Sequence, residues 1–220
     1  MPKAVLFITI AAFLSCIRIA QSATTTLYQN FTDAVGAPYF NSTRYDVTTN
    51  QPGGNDYVAV SFVGNGLRLA EIDFAAVYFD PSFATTSGFV NMFVESDSGG
   101  FPNFSPSAFV EAWTTPVTQN GGVIGLTSTS TPLLTLGTTY WVVMQRNQSF
   151  PPGSSESWYA NASGATGLAI YVDTGGWTSR TTATPTLRVL TTSAVPEPAT
   201  WMLMAAGTVL LTGFQRLRKS

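Results

Sequence analysis

Two neighbouring stretches decide the fold: residues 57–62 read Tyr-Val-Ala-Val-Ser-Phe, and residues 67–78 read Leu-Arg-Leu-Ala-Glu-Ile-Asp-Phe-Ala-Ala-Val-Tyr. Apolar side chains recur at every second position, the period of a β-strand, and many are β-branched or aromatic. Those that alternate onto one face are Val58, Val60 and Phe62, then Ile72, Phe74 and Ala76. Between the stretches, Gly64-Asn65-Gly66 supplies residues that adopt positive φ in tight turns. The pattern predicts two strands joined by a turn.

The same pattern recurs along the chain. It predicts further strands at residues 89–95, 109–113, 123–126, 139–146, 157–160, 168–172 and 186–190. Turn clusters of Gly, Asn, Asp and Pro lie at residues 52–56, 97–100, 120–122 and 173–176. Between the two ends of the chain, no segment has the apolar stripe of a helix. We therefore predict an all-β fold, an antiparallel two-sheet sandwich of jelly-roll-like form.

Charge and reactive side chains are scarce. Only 10% of the 220 residues are charged, against about 25% in ordinary soluble domains, while the apolar fraction of 45% is ordinary. From residue 23 to residue 194, five arginines face eleven carboxylates, a net charge near −6, so no basic patch exists for nucleic acid.

The sole cysteine is Cys16, and the chain has no histidine. No familiar base is therefore available to activate a Ser or Thr nucleophile. We expect no catalytic residue, no cofactor and no enzymatic activity.

The N-terminus has the composition of a signal peptide. Lys3 precedes the apolar residues 4–14, and small residues follow at 20–23. Cleavage after Ser22 places Ala20 and Ser22 at the −3 and −1 positions that signal peptidase reads, so residues 1–22 are predicted to be removed. An uncleaved anchor is the alternative, but the apolar run is too short to span a bilayer. A lipoprotein site at Cys16 is a weaker one.

The C-terminus has three parts. Val195-Pro196-Glu197-Pro198 is followed by the uncharged residues 199–214 and then by a basic cluster of Arg216, Arg218 and Lys219. The uncharged run reaches about 24 Å as a helix, close to the thickness of a bilayer core. The basic cluster places its end in the cytoplasm. We predict one transmembrane helix, with the main domain on the opposite side of the membrane.

Residues 195–220 together resemble the PEP-CTERM sorting signal. The resemblance implies recognition and cleavage by an exosortase, a membrane enzyme of Gram-negative bacteria that make extracellular polysaccharide. It further implies that the inner-membrane anchor is transient, and that the protein ends at the cell surface or in the extracellular matrix. A permanent single-pass anchor is the alternative.

Residues 28–190 resemble the choice-of-anchor R domain, an extracellular β domain of bacteria. The resemblance rests on the order of several short blocks: Gly54-Asn55-Asp56-Tyr57, Glu71-Ile72-Asp73-Phe74-Ala75, residues 95–102, residues 136–143, Trp158-Tyr159-Ala160-Asn161 and Gly176-Trp177. It implies an exported, surface-associated and non-enzymatic domain at residues 23–190. Residues 191–194 are then a Thr/Ser linker to the sorting signal.

Two acidic pairs have the spacing that puts side chains on one strand face, Glu95 with Asp97 and Glu71 with Asp73. Such pairs can serve glycoside hydrolysis, or bind Ca²⁺ if six to eight oxygens converge. Solvated acids at a Gly-rich hairpin tip are the simpler interpretation. Glu95 and Asp97 are thus a weak calcium candidate, and no metal site is predicted.

Aromatic side chains suggest a second function. Trp158, Tyr159 and Trp177 lie in Ser/Gly-rich surroundings, and an exposed ring face can stack on the apolar face of a sugar. Trp141, in the most apolar strand, is predicted to be core, and Trp113 is ambiguous. The expected role is a structural or interaction protein of the cell surface or biofilm matrix. The alternatives are a carbohydrate-binding module for exopolysaccharide and a hydrolase that uses acidic residues.

Overall fold

The computed structural model describes residues 23–31, 44–47, 57–81, 86–103, 105–147, 154–161, 163, 165–172 and 176–193. These residues form thirteen strands: β1 (Thr24–Gln29), β2 (Arg44–Val47), β3 (Tyr57–Val63), β4 (Arg68–Phe79), β5 (Ser87–Ser98), β6 (Phe101–Pro102), β7 (Phe109–Thr118), β8 (Gly122–Thr127), β9 (Thr139–Arg146), β10 (Ser155–Tyr159), β11 (Thr166–Val172), β12 (Gly176–Ala183) and β13 (Leu187–Thr192). A single 3₁₀ turn, Pro106–Ala108, precedes β7. The predicted signal peptide and C-terminal helix lie outside the described residues.

Sheet 1 is built around the long strand β4. Along one edge, β4 pairs with β8; along the other, it pairs with β10 near Phe79 and with β13 near Arg68. Ala76 fixes this arrangement, because it is paired with Gly122 of β8 and with Trp158 of β10 at the same time. Outside β10 and β13 lie β2 and β1. All of these pairs are antiparallel.

Sheet 2 has the order β12-β11-β3-β9-β5, with β7 on the free edge of β5 and the two-residue β6 paired with the end of β5. Its pairs are also antiparallel. β7 contains Pro116, which an outermost strand tolerates because the missing N–H breaks no ladder bond. The prediction of an all-β fold with two antiparallel sheets is confirmed.

The main core lies between the sheets. The alternating residues of β3 and β4 that the sequence singled out, with their counterparts Val90, Met92 and Val94 of β5 and Val142 and Met144 of β9, form one buried cluster. The largest fully buried side chain is Trp158 of β10, whose ring meets Phe74 edge-on at 5.9 Å between centroids. Alternation along each strand therefore sends one set of side chains inward and the other to an outer face.

An ion pair is buried in this interior. Arg146 of β9 and Glu156 of β10 face each other across the sheets, with Nε and Oε2 3.3 Å apart, and their side chains are 5% and 0% exposed. Ser154 accepts a hydrogen bond from Arg146 Nη2 at 2.8 Å. Gly88 of β5 makes room for the carboxylate, because a Cβ at that position would come within 2.5 Å of Glu156 Oε1. Burial, partly offset by Arg146, raises the pKa of Glu156 to about 7.

Both termini of the β domain lie at one end of the sandwich, here called the terminal end. Thr24 is paired with Thr192, and Thr192 is paired with Arg68 at the start of β4. The short connection from β3 to β4 crosses between the sheets at this end, with Gly66 at a φ of +80°. β13 continues to Thr192, so the first two residues of the predicted linker belong to the strand rather than to a linker.

Candidate functional site

The outer face of sheet 2 carries a second apolar cluster, separate from the main core. It contains the buried residues Ala59, Trp141 and Val143, with partly buried Tyr57, Phe93, Phe101 and Trp177 packed against them. We call Tyr57, Phe93, Phe101, Trp141 and Trp177 the aromatic face. Tyr57, Phe93 and Trp141 alternate with the inward-facing residues of β3, β5 and β9, so this part of the face is built by the same period-two pattern as the core.

Polar groups border the aromatic face. Trp141 donates its indole N–H to Asp97 Oδ1 at 2.8 Å, and Gln145 donates an amide N–H to the Tyr57 hydroxyl at 2.9 Å. The rings of Tyr57 and Trp177 lie 6.2 Å apart between centroids and are tilted by 52°. Tilted rings with polar neighbours form the kind of surface that receives a sugar ring.

The three aromatic residues predicted to stack on a glycan do not come together. Trp158 is 0% exposed, and its indole N–H donates to the carbonyl of Thr186 at 2.6 Å, so the prediction is wrong for this residue. Tyr159 is 8% exposed and packs with Ala75 and Val77 on the outer face of sheet 1, so its ring is covered as well. Trp177 is only partly buried and lies on the aromatic face. Trp141 is buried as predicted, but it belongs to the aromatic face on the outer side of sheet 2 rather than to the main core.

Glu95 lies on the same face of sheet 2 as the aromatic face. It is paired with Trp141 of β9 on one side and with Phe109 of β7 on the other. Phe109 also stacks on Phe93 at 4.6 Å between ring centroids. The Glu95 side chain is 0% exposed, and no residue in the described part of the chain forms a hydrogen bond to either carboxyl oxygen. Burial without a compensating donor raises the pKa of Glu95 from 4.5 to about 7.

Glu95→Gln should therefore change how stability depends on pH. Between pH 4.5 and 7 the folded chain keeps a proton on Glu95 that the unfolded chain releases, so stability falls as the pH rises through this window. Above pH 7 the buried charge costs about 3 kcal/mol, a cost that the amide removes. The difference in free energy of unfolding between the variant and wild type should therefore move in favour of the variant by about 3 kcal/mol from pH 4.5 to pH 8. Urea denaturation at both pH values measures this difference. Asp46→Asn, at an exposed carboxylate, is the control. An equal effect of Glu95→Gln at both pH values would contradict the assignment.

The predicted calcium candidate, Glu95 with Asp97, offers few oxygens that are available to bind a cation. Asp97 accepts hydrogen bonds from the Trp141 indole at Oδ1 and from the Gly100 amide at Oδ2, and aromatic rings flank Glu95. Among the residues that the structure describes, no group of three or more His, Cys, Asp or Glu side chains is placed to hold a metal ion. Ca²⁺ prefers six to eight oxygens. The geometry does not favour calcium at Glu95 and Asp97.

The other acidic pair lies on the outer face of sheet 1. Arg188 Nε donates to Asp73 Oδ2 at 2.7 Å, and Gly125 of β8 leaves space for the carboxyl groups of both Glu71 and Asp73. Burial, and then the neighbouring Asp73, with which it shares a hydrogen bond, raise the pKa of Glu71. Carboxyl groups in direct contact lack the separation of about 5 Å or more that a glycosidase needs. The pair is better suited to joining β4, β8 and β13.

Glu111 anchors the long connection between β8 and β9 at the terminal end. Its carboxylate accepts hydrogen bonds from the hydroxyls of Ser128, Thr129 and Ser130, the first two at 2.8 Å. Burial acts to raise the pKa of Glu111, but these bonds outweigh it and the pKa is lowered. Because a lowered pKa stabilises the fold above the unfolded value, this anchor weakens as the pH falls through the folded pKa. No pattern in the sequence indicated this role for Glu111.

Comparison with known families matches residues 194–219 to the PEP-CTERM protein-sorting motif. The match includes the predicted motif Val195-Pro196-Glu197-Pro198 and the basic residues Arg216, Arg218 and Lys219, which lie outside the described residues, as do Ala20 and Ser22 of the predicted cleavage site. Such a motif marks proteins that are exported and anchored in the membrane before an exosortase processes them. The chain therefore contains the sorting signal of exported, exosortase-processed proteins, together with an all-β domain.

The β domain itself has no counterpart in these comparisons. No curated protein and no solved structure matches the chain. The resemblance of residues 28–190 to the choice-of-anchor R domain is not confirmed and stays a prediction. Within the described ranges, no helix has the length and apolar character needed to cross a membrane. The predicted transmembrane helix lies beyond those ranges.

Proposed function

We propose that this protein is a structural or interaction component of the cell surface or extracellular matrix of a Gram-negative bacterium, delivered there by exosortase processing and without catalytic activity. The observation that supports this proposal is the sorting motif at residues 194–219, which follows β13 after a single intervening residue. A β domain that ends so close to the motif is released almost free of additional chain when the exosortase cuts.

The composition of the β domain supports the same role. A surface rich in Thr, Ser, Asn and Gly with few charges can hydrogen-bond to hydrated polysaccharide without binding counterions tightly. Two acidic residues with perturbed pKa, Glu95 and Glu156, are fully buried, and the Glu71–Asp73 pair is held by Arg188. These acids therefore have structural roles, and the hydrolase alternative is not proposed.

Replacing the three residues Pro196, Glu197 and Pro198 by alanine should abolish processing. The experiment is peptide-level mass spectrometry of both ends of the protein recovered from an exosortase-containing host. Wild-type protein should begin near Ala23 and lack the residues after about Pro198, whereas the variant should keep its tail and stay in the membrane fraction. Asp46→Asn, which removes an exposed carboxylate far from the motif in sequence, is the control and should be processed normally. Surface-released wild-type protein that still contains Arg218 would contradict exosortase processing.

Carbohydrate binding is the second candidate function, and the aromatic face is the observation that favours it. Tyr57 and Trp177 keep partly exposed rings on the outer face of sheet 2, with Gln145 beside them as a hydrogen-bonding group. The ligand is then an exopolysaccharide chain whose sugar C–H faces rest on these rings.

Trp177→Ala should weaken binding of the full-length protein to the exopolysaccharide of its host about tenfold, equivalent to about 1.4 kcal/mol, measured by titration calorimetry or affinity electrophoresis. Phe79→Ala is the matched control, because Phe79 is an exposed aromatic residue of sheet 1, at 43% exposure. Equal affinity of both variants and wild type would remove the aromatic face as a glycan site. Trp158→Ala is not an informative test, since that ring is in the core.

A further inference from the structure

Three large apolar side chains are exposed together at the terminal end. Val63, Leu133 and Leu136 are 55%, 56% and 76% exposed. They belong to two segments, residues 63–69 and 132–139, that are hydrogen-bonded to each other from end to end. The bonds include Gly64 N–H to the Thr138 carbonyl and Gly66 N–H to the Leu134 carbonyl, both at 2.8 Å. The exposed side chains therefore lie at the same end of the sandwich, with Leu133 beside Arg68 of sheet 1 and Val63 at the last residue of β3 in sheet 2, and we call this end its terminal surface.

The surface is held in place from behind. Leu134, between the two exposed leucines, is 0% exposed and anchors the segment in the main core. Tyr140 accepts the Thr135 amide hydrogen on its hydroxyl at 2.9 Å, and Gly64 has no room for a Cβ against the Thr135 carbonyl. The segment is packed and hydrogen-bonded, yet its leucines point into water. Exposing these apolar side chains costs free energy, and burying them against a partner surface would remove that cost.

This surface lies close to the point where the chain leaves for the sorting signal. Thr192 is paired with Arg68, and Arg68 is bridged to Leu133, so two strand spacings of about 4.8 Å separate the end of β13 from Leu133. Six Cα–Cα steps then lead from Ser193 to Ala199, where the uncharged run begins. Those steps span at most about 20 Å. A membrane that holds residues 199–214 is consequently within reach of the terminal end.

The chemistry of the two segments suits a lipid interface. Residues 63–69 and 128–139 contain no Asp or Glu, and Arg68 is their one charged residue. Among the carboxylates beside them, Asp97 and Glu111 accept internal hydrogen bonds, and Glu71 shares a hydrogen bond with Asp73. Apolar side chains beside hydroxyls and one cation fit the headgroup region of an anionic bilayer better than they fit bulk water.

We propose that the terminal end docks on the outer leaflet of the inner membrane while the protein awaits processing, with Val63, Leu133 and Leu136 entering the headgroup region. Docking holds the sandwich upright on the bilayer and the sorting motif at the membrane surface, where a membrane-embedded exosortase can reach it. This inference rests on the proposed function, because it needs residues 199–214 to be anchored in the same membrane.

The test uses the full chain from a host without exosortase, reconstituted in vesicles of phosphatidylethanolamine and phosphatidylglycerol. In a Cys16→Ser background, an environment-sensitive dye is attached at Thr135→Cys, between the two exposed leucines, or at Asn120→Cys. Asn120 is exposed in the turn between β7 and β8, about ten strand residues, or ~33 Å, from the terminal end along β4. Nitroxide-labelled lipids should quench the dye at residue 135 at least twofold more than at residue 120. Leu133→Ser with Leu136→Ser should abolish the difference.

Two results would overturn the inference. Equal quenching at residues 135 and 120 in vesicle-bound protein would show that the terminal end does not touch lipid, with the anchor itself intact. A blue shift at residue 135 that rises with protein concentration and needs no vesicles would assign the surface to a second copy of the chain. Protein that does not stay with the vesicles at all would instead contradict the predicted helix, and with it the proposed sorting route.

Discussion

Arg146→Met should lower the free energy of unfolding by about 3–5 kcal/mol at pH 8, because it leaves Glu156 buried without its cation. The cost should be smaller at pH 5, since the pKa of Glu156 is already about 7 and the carboxyl group is then neutral in both proteins. Urea denaturation followed by far-ultraviolet circular dichroism at the two pH values measures both quantities.

Two further variants isolate the charge. Arg146→Met with Glu156→Met removes both partners and should restore stability to near the wild-type value, since a buried ion pair is often no better than an apolar pair of similar volume. Arg44→Met breaks an exposed pair, Arg44 with Asp46 at 3.4 Å, and should cost less than 1 kcal/mol. A loss at Arg146 that is independent of pH and persists in the double variant would mean that packing, rather than charge, matters at this position.

Trp158→Ala should lower the free energy of unfolding by about 4 kcal/mol, the cost expected for truncating a fully buried large aromatic side chain. The change removes the edge-on contact with Phe74 and leaves the Thr186 carbonyl without its indole donor. Trp158→Phe keeps much of the ring and should cost about 1–3 kcal/mol, mostly for the unpaired carbonyl and the smaller volume. The same denaturation measurement compares these variants.

Trp177→Ala is the matched control for Trp158→Ala, because Trp177 is partly exposed on the aromatic face and should lose less than half as much stability. A similar loss at both positions would indicate that the aromatic face is as tightly packed as the main core. A small loss at Trp158 would contradict the position of its side chain between the sheets.

The period-two pattern predicted the strands that build the core. Residues 57–62 and 67–78 became β3 and β4, and each of the other predicted strands overlaps a strand of the structure. The predicted ends differ from the observed ends by three residues or fewer, except that β7 continues to Thr118. The apolar residues of these strands face the other sheet, and their burial requires the alternation of apolar residues that the sequence shows.

The strands that the sequence did not reveal are β1, β2, β6 and β12. β1 begins with Thr24, Thr25 and Thr26, all exposed, and β12 reads Gly-Trp-Thr-Ser-Arg-Thr-Thr-Ala. β1 and β12 are the outermost strands of their sheets and are held by backbone hydrogen bonds to one neighbour. Backbone pairing does not depend on side-chain type, so no alternation of apolar residues is required there.

The positions of the aromatic and acidic residues could not be derived in the same way. Alternation shows which residues share a face of a strand, but not whether that face meets the other sheet or is covered by its own cluster. Trp158 and Trp141 are both buried, but Trp158 faces the space between the sheets, whereas Trp141 lies on the outer face of sheet 2. From the sequence, Glu95 was interpreted as a solvated acid near a turn. The strand register instead pairs it with Phe109 and Trp141, and the register is known only once the strands are paired in the folded chain.

The position of β13 also determines how the protein carries a load. The strand lies between β1 and β4, and every one of its six residues is paired with β4. Its C-terminal end leads to the sorting motif at residues 194–219, which tethers such proteins to the membrane before processing. A pull on that tether acts along the strand, while the backbone hydrogen bonds lie across it. The bonds on both edges are then sheared together instead of being peeled open one after another, and shear is the direction in which a β-sheet resists force most strongly.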